Sequence, residues 1–331
     1  MESGYLNRSA SNGVNIRPHD PESNAFRMST TRAVVLARGL GTRMRAPDPS
    51  ALLTPEQQRI ADAGLKAMIP LNGRPFLDYI LSSLADAGIR DVALVVAPEH
   101  DALRRYYESV APPARVRLGF VVQDQALGTA NAVLAAERWA QAEPFLTMNA
   151  DNLYPVDALA ALAALAEPGL PAFDPLDLVR SGNIPLERLR SFAFLDVDDR
   201  GYLTGIVEKP NKVLPPNRPP LDSPSFGRGY GESADQPPLK LRRSAEALAK
   251  AGGGSYMSMN CWRFDGRIFE ACREVPRSAR GEFEIPEAVG VAVRRGVPFK
   301  TFPARGPVLD LSTRADAADV ARRLAGVSPR P

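Results

Sequence analysis

The feature that most constrains this chain is an apolar run at residues 32–37 that leads directly into a loop containing Gly39 and Gly41, then Thr42 and Arg43. The run is typical of a buried strand, and glycines let a loop backbone approach a ligand closely with its N–H groups. Arg43 adds a forked cation that suits phosphate. The pattern predicts a nucleotide site at the carboxyl end of the first strand of an α/β sheet.

The loop alone leaves a tight turn in any α/β protein as an equal alternative. It does not match the dinucleotide-binding pattern, because Met44 stands where the third glycine belongs. It does not match the Walker A pattern either, because no Gly-Lys-Ser/Thr follows. The missing third glycine therefore disfavours a Rossmann oxidoreductase.

The rest of the chain alternates strand-like and helical patterns, which predicts a three-layer α/β fold with a mostly parallel sheet. Strands are predicted at 32–37, 91–97, 115–122 and 144–149, with helices at 75–88, 100–109 and 128–140. Further along, a hairpin turns at 199–201, and later elements are a strand at 256–264, helices near 266–274 and 283–294, a strand near 298–303 and a helix at 314–324.

The domain organisation follows from composition. Residues 1–30 are polar and predict a disordered leader, residues 31–325 form one domain, and residues 326–331 are a tail. Two insertions interrupt the domain. The segment 45–65 carries a helix start at Thr54, and a segment at about 211–254, rich in proline and glycine, is either a lid or disordered.

Charge and composition exclude several classes of function. The 41 basic and 38 acidic residues give a net charge of +3, which does not favour a nucleic-acid partner. No apolar segment predicts a membrane span or a secretory signal, so we expect a cytoplasmic protein without a membrane partner. The two cysteines are not part of a metal-binding sequence pattern, and His19 and His100 have no partner for a catalytic triad.

Six short motifs, in a fixed order over residues 32–325, resemble the nucleotide-sugar pyrophosphorylases, which are sugar-1-phosphate nucleotidyltransferases. The motifs are Leu-Ala-x-Gly-x-Gly-Thr-Arg at 36–43, Lys66 before an Asn72-Gly73-Arg74-Pro75 turn, Gln-x-x-x-Leu-Gly-Thr-Ala at 123–130, Ala150-Asp151-Asn152, Glu208-Lys209-Pro210, and Asp310-Leu311-Ser312-Thr313. The resemblance implies a Rossmann-like nucleotidyltransferase fold. It also implies a reaction in which a nucleoside triphosphate (NTP) and a hexose-1-phosphate give a nucleotide sugar and pyrophosphate.

The resemblance also implies a role for individual residues. Arg43 and Lys66 would be the catalytic cations, Asp151 and Asp310 would bind Mg²⁺, and Glu208 and Lys209 would contact the sugar phosphate. The nucleotide would be bound by Leu36, Ala37, Gly39, Gly41, Thr42, Gln123, Gly128 and Thr129. Structural alternatives remain for several of them: Asp151 as a helix cap, Asp310 as a turn residue, and the pair Gly128-Thr129 as a plain helix start.

This chemistry requires positioning, cations and a metal rather than a general base, because the attacking phosphate is already ionised. The glutamine motif favours UTP as the nucleotide, and the resemblance is compatible with a homo-oligomer. A non-catalytic sugar-nucleotide-binding regulatory protein on the same fold is the alternative function. Retention of all four charged residues, Arg43, Lys66, Asp151 and Asp310, favours the enzyme.

The chain departs from the family pattern at several positions, and these put the identity of the sugar in question. At five positions this chain carries a residue that differs from the one usual in the family: Arg38, Ala150, Ala193, Val308 and Ser312. The insertion at 45–65 also separates Arg43 from Lys66 more than is usual. We hypothesise that this insertion forms a helical flap beside the triphosphate.

Overall fold

The computed structural model describes residues 30–208 and 256–331. The predicted leader, apart from Thr30, the insertion at about 211–254 and Lys209 lie outside the described residues. The strands are β1 (Arg32–Leu36), β2 (Pro70–Leu71), β3 (Arg74–Pro75), β4 (Asp91–Val96), β5 (Arg117–Val122), β6 (Phe145–Asn149), β7 (Asn152–Leu153), β8 (Gly169–Phe173), β9 (Ala193–Val197), β10 (Leu203–Glu208), β11 (Tyr256–Ser258), β12 (Trp262–Phe264), β13 (Lys300–Ala304) and β14 (Leu309–Asp310).

The helices are α1 (Thr42–Arg45), α2 (Pro55–Asp62), α3 (Phe76–Asp86), α4 (Asp101–Arg105), α5 (Thr129–Ala135), α6 (Glu137–Ala140), α7 (Val156–Ala163), α8 (Pro175–Ser181), α9 (Arg267–Glu274), α10 (Ile285–Arg294) and α11 (Asp316–Arg323). Short helical turns occur at Lys66–Met68, Tyr106–Val110 and Leu186–Ser191. Within the described ranges, no helix combines the length and the apolar character needed to cross a bilayer.

One large sheet organises the molecule, in the order β10-β9-β11-β8-β12-β6-β1-β4-β5, with β13 paired to β8. The strands β6, β1, β4 and β5 run parallel, and β12 joins β6 antiparallel, so the sheet is mixed. In register, Leu36 at the end of β1 lies between Val95 and Asn149. The carboxyl ends of three strands therefore meet at one edge of the sheet.

Alternating side chains of β1 place helices on both faces of the sheet. Ala33 and Val35 belong to the core cluster that includes α3 and α7, whereas Val34 and Leu36 belong to the cluster that includes α5, α9 and α10. This is the expected result for a strand buried on both sides. The predicted three-layer α/β fold is confirmed.

Two predicted elements are wrong in detail. The predicted strand at 256–264 is two short strands, since the chain bends at Asn260, whose φ is 55°. The bend lies between the pairs Met257–Phe173 and Arg263–Gly169, and so does Pro171 of β8, a residue with no N–H to donate to a neighbouring strand. The predicted helix at 128–140 is interrupted at Ala136, which separates α5 from α6.

The turn between β9 and β10 and the start of α2 agree with the sequence. Asp198 accepts backbone hydrogen bonds from Arg200 and Tyr202, which closes the predicted hairpin. Thr54 and Gln57 form a reciprocal capping box at the start of α2. Local hydrogen bonds of this kind depend only on residues close in sequence, so the sequence predicts them well.

We predict that Gly128→Ala destabilises the fold far more than Gly73→Ala. Both glycines have positive φ, +106° and +83°, so an alanine at either position meets backbone strain, about 1–3 kcal/mol. A Cβ at Gly128 would also lie 2.4 Å from the Phe283 carbonyl oxygen, whereas one at Gly73 would contact nothing within 4 Å. Urea unfolding should give an extra loss of about 1–3 kcal/mol at Gly128. Equal losses at the two positions would contradict the close packing at Phe283.

Candidate active site

The glycine loop leaves β1 at the sheet edge where three parallel strands end. The backbone N–H of Ala37 donates to Val95 (2.9 Å), and that of Ala150 donates to Leu36 (3.1 Å). These bonds tie the loop to β4 and to the segment after β6. Together with Lys66 and neighbouring apolar residues, Leu36, Ala37 and Gly39 line a small cavity at this edge.

Arg43 lies on α1, which begins immediately after Gly41. Gly41 has φ +62°, a conformation that glycine adopts without a steric penalty. The Arg43 side chain is exposed and makes no hydrogen bond or ion pair with the part of the chain that the structure describes. Its guanidinium is therefore open to an anionic ligand.

Lys66 lies against the glycine loop and reaches Asp151. The Cε atom of Lys66 is 3.8 Å from the position that a Cβ on Gly39 would occupy. Its Nζ atom donates to Oδ2 of Asp151, and the two side chains are only 22% and 11% exposed. A cation separated from Asp151 by 85 residues is thus held between the loop and the end of β6.

Asp310 is brought beside Asp151 by the small sheet of β7 and β14. Asp310 pairs with Asn152 in register, and the N–H of Leu311 donates to the Asp151 carbonyl oxygen (2.8 Å). Burial, and then the nearby Asp151 carboxylate, raise the pKa of Asp310 to about 6. Two carboxylates that lie 159 positions apart in the sequence therefore share one poorly solvated site.

Arg188, a cation that the sequence did not predict, partly neutralises Asp310, and the Ser312 hydroxyl donates a hydrogen bond to it. Arg188 donates from Nη1 to Oδ2 of Asp310 (3.1 Å) and from Nη2 to Asp316 (2.9 Å), while Ser312 donates from Oγ to Oδ1 of Asp310. Asp316 also accepts from the N–H of Thr313 (2.7 Å). The Thr-x-x-Asp spacing, which often precedes a helix, could have signalled Asp316, but the N-cap of the helix is Ala315, and no local pattern signals Arg188.

The donor chemistry of this site fits a divalent cation. Each carboxylate oxygen of Asp151 and Asp310 has more than one lone pair, so capacity remains beside the Lys66, Arg188 and Ser312 contacts. Two carboxylates, with the other positions left to water and phosphate, match the oxygen ligands that Mg²⁺ prefers. Across the described ranges, no group of three or more His, Cys, Asp or Glu side chains forms an all-protein metal cage.

Gln123 follows β5 and has a fixed orientation. Its Nε2 atom donates to the Gly128 carbonyl oxygen (3.1 Å) and to Oδ1 of Asn131 (2.8 Å). Because the Gly128 carbonyl can only accept, the nitrogen must face it, and Oε1 is left as the group that can accept from a ligand. Asn131, which the sequence did not predict as a site residue, sets this orientation.

Gly128 and Thr129 make structural contacts with the start of α10. Phe283 donates its N–H to Leu127 (2.7 Å) and accepts from the N–H of Ala130 (2.9 Å), and only a glycine at position 128 leaves room for this approach. The Thr129 hydroxyl accepts from the N–H of Ile285 (3.0 Å). The close approach at Gly128 is thus made to Phe283, and a nucleotide contact there stays a prediction.

The predicted sugar-phosphate residues are only partly described. Glu208 is the last residue of β10 and lies opposite Ala193 of β9 in register. Lys209 lies outside the described residues. The register brings together Glu208 and Ala193, two positions that the family resemblance relates to the sugar.

The chain belongs to the nucleotidyl transferase family, whose model matches residues 32–322. It is 24% identical over 293 residues to a UTP–glucose-1-phosphate uridylyltransferase, AglF, of Haloferax volcanii, a match that covers 88% of this chain and 96% of the relative. A glucose-1-phosphate thymidylyltransferase of an Actinoplanes species is 25% identical, over 86% of this chain and 75% of the relative.

Solved structures share the fold. The structure of a UDP-glucose pyrophosphorylase complexed with UDP-glucose superposes on this chain with a TM-score of 0.62 at 16% sequence identity. The match covers 89% of this chain and 98% of the pyrophosphorylase. The family model and the relatives, rather than this shared fold, show that the chain is an enzyme of the sugar-1-phosphate nucleotidyltransferase class. The sequence-based family and fold predictions are confirmed.

We predict that Asp310→Asn becomes progressively more stable relative to the wild type as the pH rises from 4 to 7 in EDTA. The folded-state pKa of Asp310, about 6, lies above its usual value of 3.8, so the fold favours the protonated acid. The stability that this proton contributes is complete below about pH 4 and is lost as the pH rises through about 6.

Asparagine carries no such charge, so the difference in unfolding free energy should shift by about 1–3 kcal/mol over this range. Denaturant unfolding at a series of pH values measures it. Asp86→Asn, which removes an exposed partner of Arg115, serves as the control. A pH-independent difference for Asp310→Asn would contradict the burial of this carboxylate beside Asp151.

Proposed function

We propose that this enzyme transfers a uridylyl group from UTP to a hexose-1-phosphate, with Mg²⁺ as the cofactor. The observation that carries the proposal is the Lys66–Asp151 ion pair, which joins the glycine loop to the paired carboxylates of Asp151 and Asp310. A triphosphate bound on the loop would lie beside a lysine and a metal-binding pair at the same edge of the sheet. Open α/β sheets bind their ligands at this edge.

The reaction joins two anions, so the protein must supply positive charge and alignment. The sugar-1-phosphate oxygen attacks the α-phosphorus, and pyrophosphate leaves with the electron pair of the broken bond. No general base is needed, because the attacking phosphate is already ionised. Arg43, with an open guanidinium, would bind the β- and γ-phosphates and stabilise the charge that grows on the leaving group.

Lys66 would act as a point charge between the reacting phosphates and Asp151. In the structure its ammonium group has Asp151 as a partner, so it is already oriented before substrate binds. Such preorganised donors lower the barrier because they need no rearrangement during the reaction. When a triphosphate binds, the three ammonium protons allow Lys66 to keep Asp151 and add phosphate oxygens.

Asp151 and Asp310 would hold Mg²⁺. When bound, the cation would neutralise phosphate charge and help to align the α-phosphate. Arg188 and Ser312 orient Asp310 toward this role by holding its two oxygens. Burial, and then the nearby Asp151 carboxylate, raise the pKa of Asp310, and two neighbouring buried carboxylates favour a cation between them, which supports the proposal.

The preference for UTP rests on Gln123. With Nε2 engaged by Gly128 and Asn131, Oε1 is an acceptor that suits the N3–H of uracil or thymine. Relatives of this chain named as uridylyl- and thymidylyltransferases agree with a base that carries this N–H. For the sugar, Glu208 would contact the hydroxyl groups and Lys209 the phosphate.

A pyrophosphate-release assay tests the proposal, with each common nucleoside triphosphate against a panel of hexose-1-phosphates and with Mg²⁺ or EDTA. The expected result is Mg²⁺-dependent release that is fastest with UTP. Faster release with another nucleotide would refute the UTP preference. Nucleotide binding without release for any pair would overturn the catalytic proposal and favour a regulatory protein.

We expect Arg43→Ala to lower kcat/KM for the nucleotide about 10²–10³-fold, the loss typical of one preorganised donor. The matched control is Arg59→Ala, which removes another exposed arginine from the adjacent helix α2. Steady-state kinetics with both variants measures the difference. Similar kinetics for the Arg43 and Arg59 variants would exclude Arg43 from the site.

Asp151→Asn should lower turnover by at least about 10²-fold while the melting temperature stays near that of the wild type. The substitution keeps the shape of the side chain but removes the charge that Lys66 and the cation require. Pyrophosphate release at saturating Mg²⁺, together with thermal unfolding, measures both effects. Turnover within about twofold of the wild type would refute the metal assignment.

A further inference from the structure

The insertion after Arg43 is anchored to the glycine loop. A Cβ on Gly41 would lie 2.5 Å from the Gly64 carbonyl oxygen, so the two glycines let the backbones pass in direct contact. Arg45 also donates from Nη2 to the Ala63 carbonyl oxygen (2.9 Å). The end of the insertion therefore packs against the loop, which does not favour a freely hinged flap.

Arg314 joins this insertion to α1. Its guanidinium is almost fully buried, with 4% of the side chain exposed. Its Nε atom donates to the Met44 carbonyl oxygen (2.7 Å), and Nη2 donates to the Arg45 carbonyl oxygen (2.9 Å). Nη2 also donates to Oδ1 of Asp62, the last residue of α2 (2.6 Å).

These contacts stabilise the carboxyl end of α1. The helix has only four residues, so it forms few internal hydrogen bonds and is not stable by itself. Its final carbonyl groups have no partner within the helix, and a cation at this end satisfies them and suits the helix dipole. Arg43 belongs to α1, and its exposed side chain makes no hydrogen bond or ion pair within the described residues, so its position depends on the backbone of this helix.

We propose that Arg314 and Asp62 form a clamp that positions Arg43 for catalysis. Arg314 follows Asp310 by four residues, so the clamp fixes α1 relative to the strand that carries a metal-binding carboxylate. Asp62 gives the insertion a role, since it supplies the anion that holds the buried guanidinium. Arg314 and Asp62 are positioning residues, and their kinetic role rests on the proposed function of Arg43.

Amide hydrogen exchange tests the clamp without requiring activity. In α1 the N–H of Arg45 donates to Gly41 (2.8 Å) and that of Ala46 donates to Thr42 (3.1 Å). Asp62→Asn and Arg314→Lys should increase exchange at these two amides at least about 10-fold, which corresponds to about 1.4 kcal/mol. Unchanged exchange at these amides in both variants would overturn the clamp.

The matched control is Asp86→Asn. Asp86 also ends a helix, is 45% exposed against 56% for Asp62, and pairs with Arg115 at 2.7 Å. This variant should leave the α1 amides unchanged. If it increases their exchange as much as Asp62→Asn does, the effect is a general loss of stability and the clamp is refuted.

A kinetic cycle with Arg43→Ala tests the consequence for catalysis. We expect Asp62→Asn and Arg314→Lys to lower kcat about 5–20-fold in the wild-type background and less than twofold in the Arg43→Ala background. If Asp62→Asn and Arg314→Lys lower kcat as strongly in the Arg43→Ala background as in the wild-type background, positioning through Arg43 is refuted. If the wild-type enzyme releases no pyrophosphate from any substrate pair, the proposed function fails, while hydrogen exchange still decides the clamp.

Discussion

The structure around the candidate site depends on keeping two carboxylates together where water is scarce. Asp151 and Asp310 lie side by side at the end of β6, and burial there makes an uncompensated charge costly. Lys66 balances the first carboxylate and Arg188 the second. The chain must therefore bring distant segments to one edge of the sheet, and the small β7–β14 sheet holds two of them in register.

The need to balance these buried charges also makes the candidate site rigid. Lys66 lies between the glycine loop and Asp151, so movement of either would expose a charge or break an ion pair. Arg314 extends this connection from the strand of Asp310 to the last carbonyl groups of α1. A site for a reaction between anions gains from such an arrangement, because charges fixed before the substrate binds need little reorganisation afterwards.

Much of the fold could be predicted from the sequence, because apolar periodicity and ordered motifs fix β1, β4, β6 and the helices that cover them. Other features depend on contacts between distant residues. The bend at Asn260 interrupts the pairing with β8 where that strand carries Pro171, Gly128 makes room for Phe283, and Arg188 reaches Asp310 from a turn with no local pattern. A single sequence does not encode such pairs locally, so the contact of Gly128 with Phe283 could not be predicted from the sequence, and the nucleotide contact predicted for Gly128 stays a prediction.

The most direct test of this account is the structure of the enzyme with Mg²⁺ and a UTP analogue that resists attack at the α-phosphorus. We expect the triphosphate on the loop after β1, with Nζ of Lys66 within hydrogen-bond distance of both a phosphate oxygen and Asp151. We also expect Mg²⁺ on the carboxylates of Asp151 and Asp310. A triphosphate bound away from this loop, or a metal ion that contacts neither carboxylate, would contradict the proposed site.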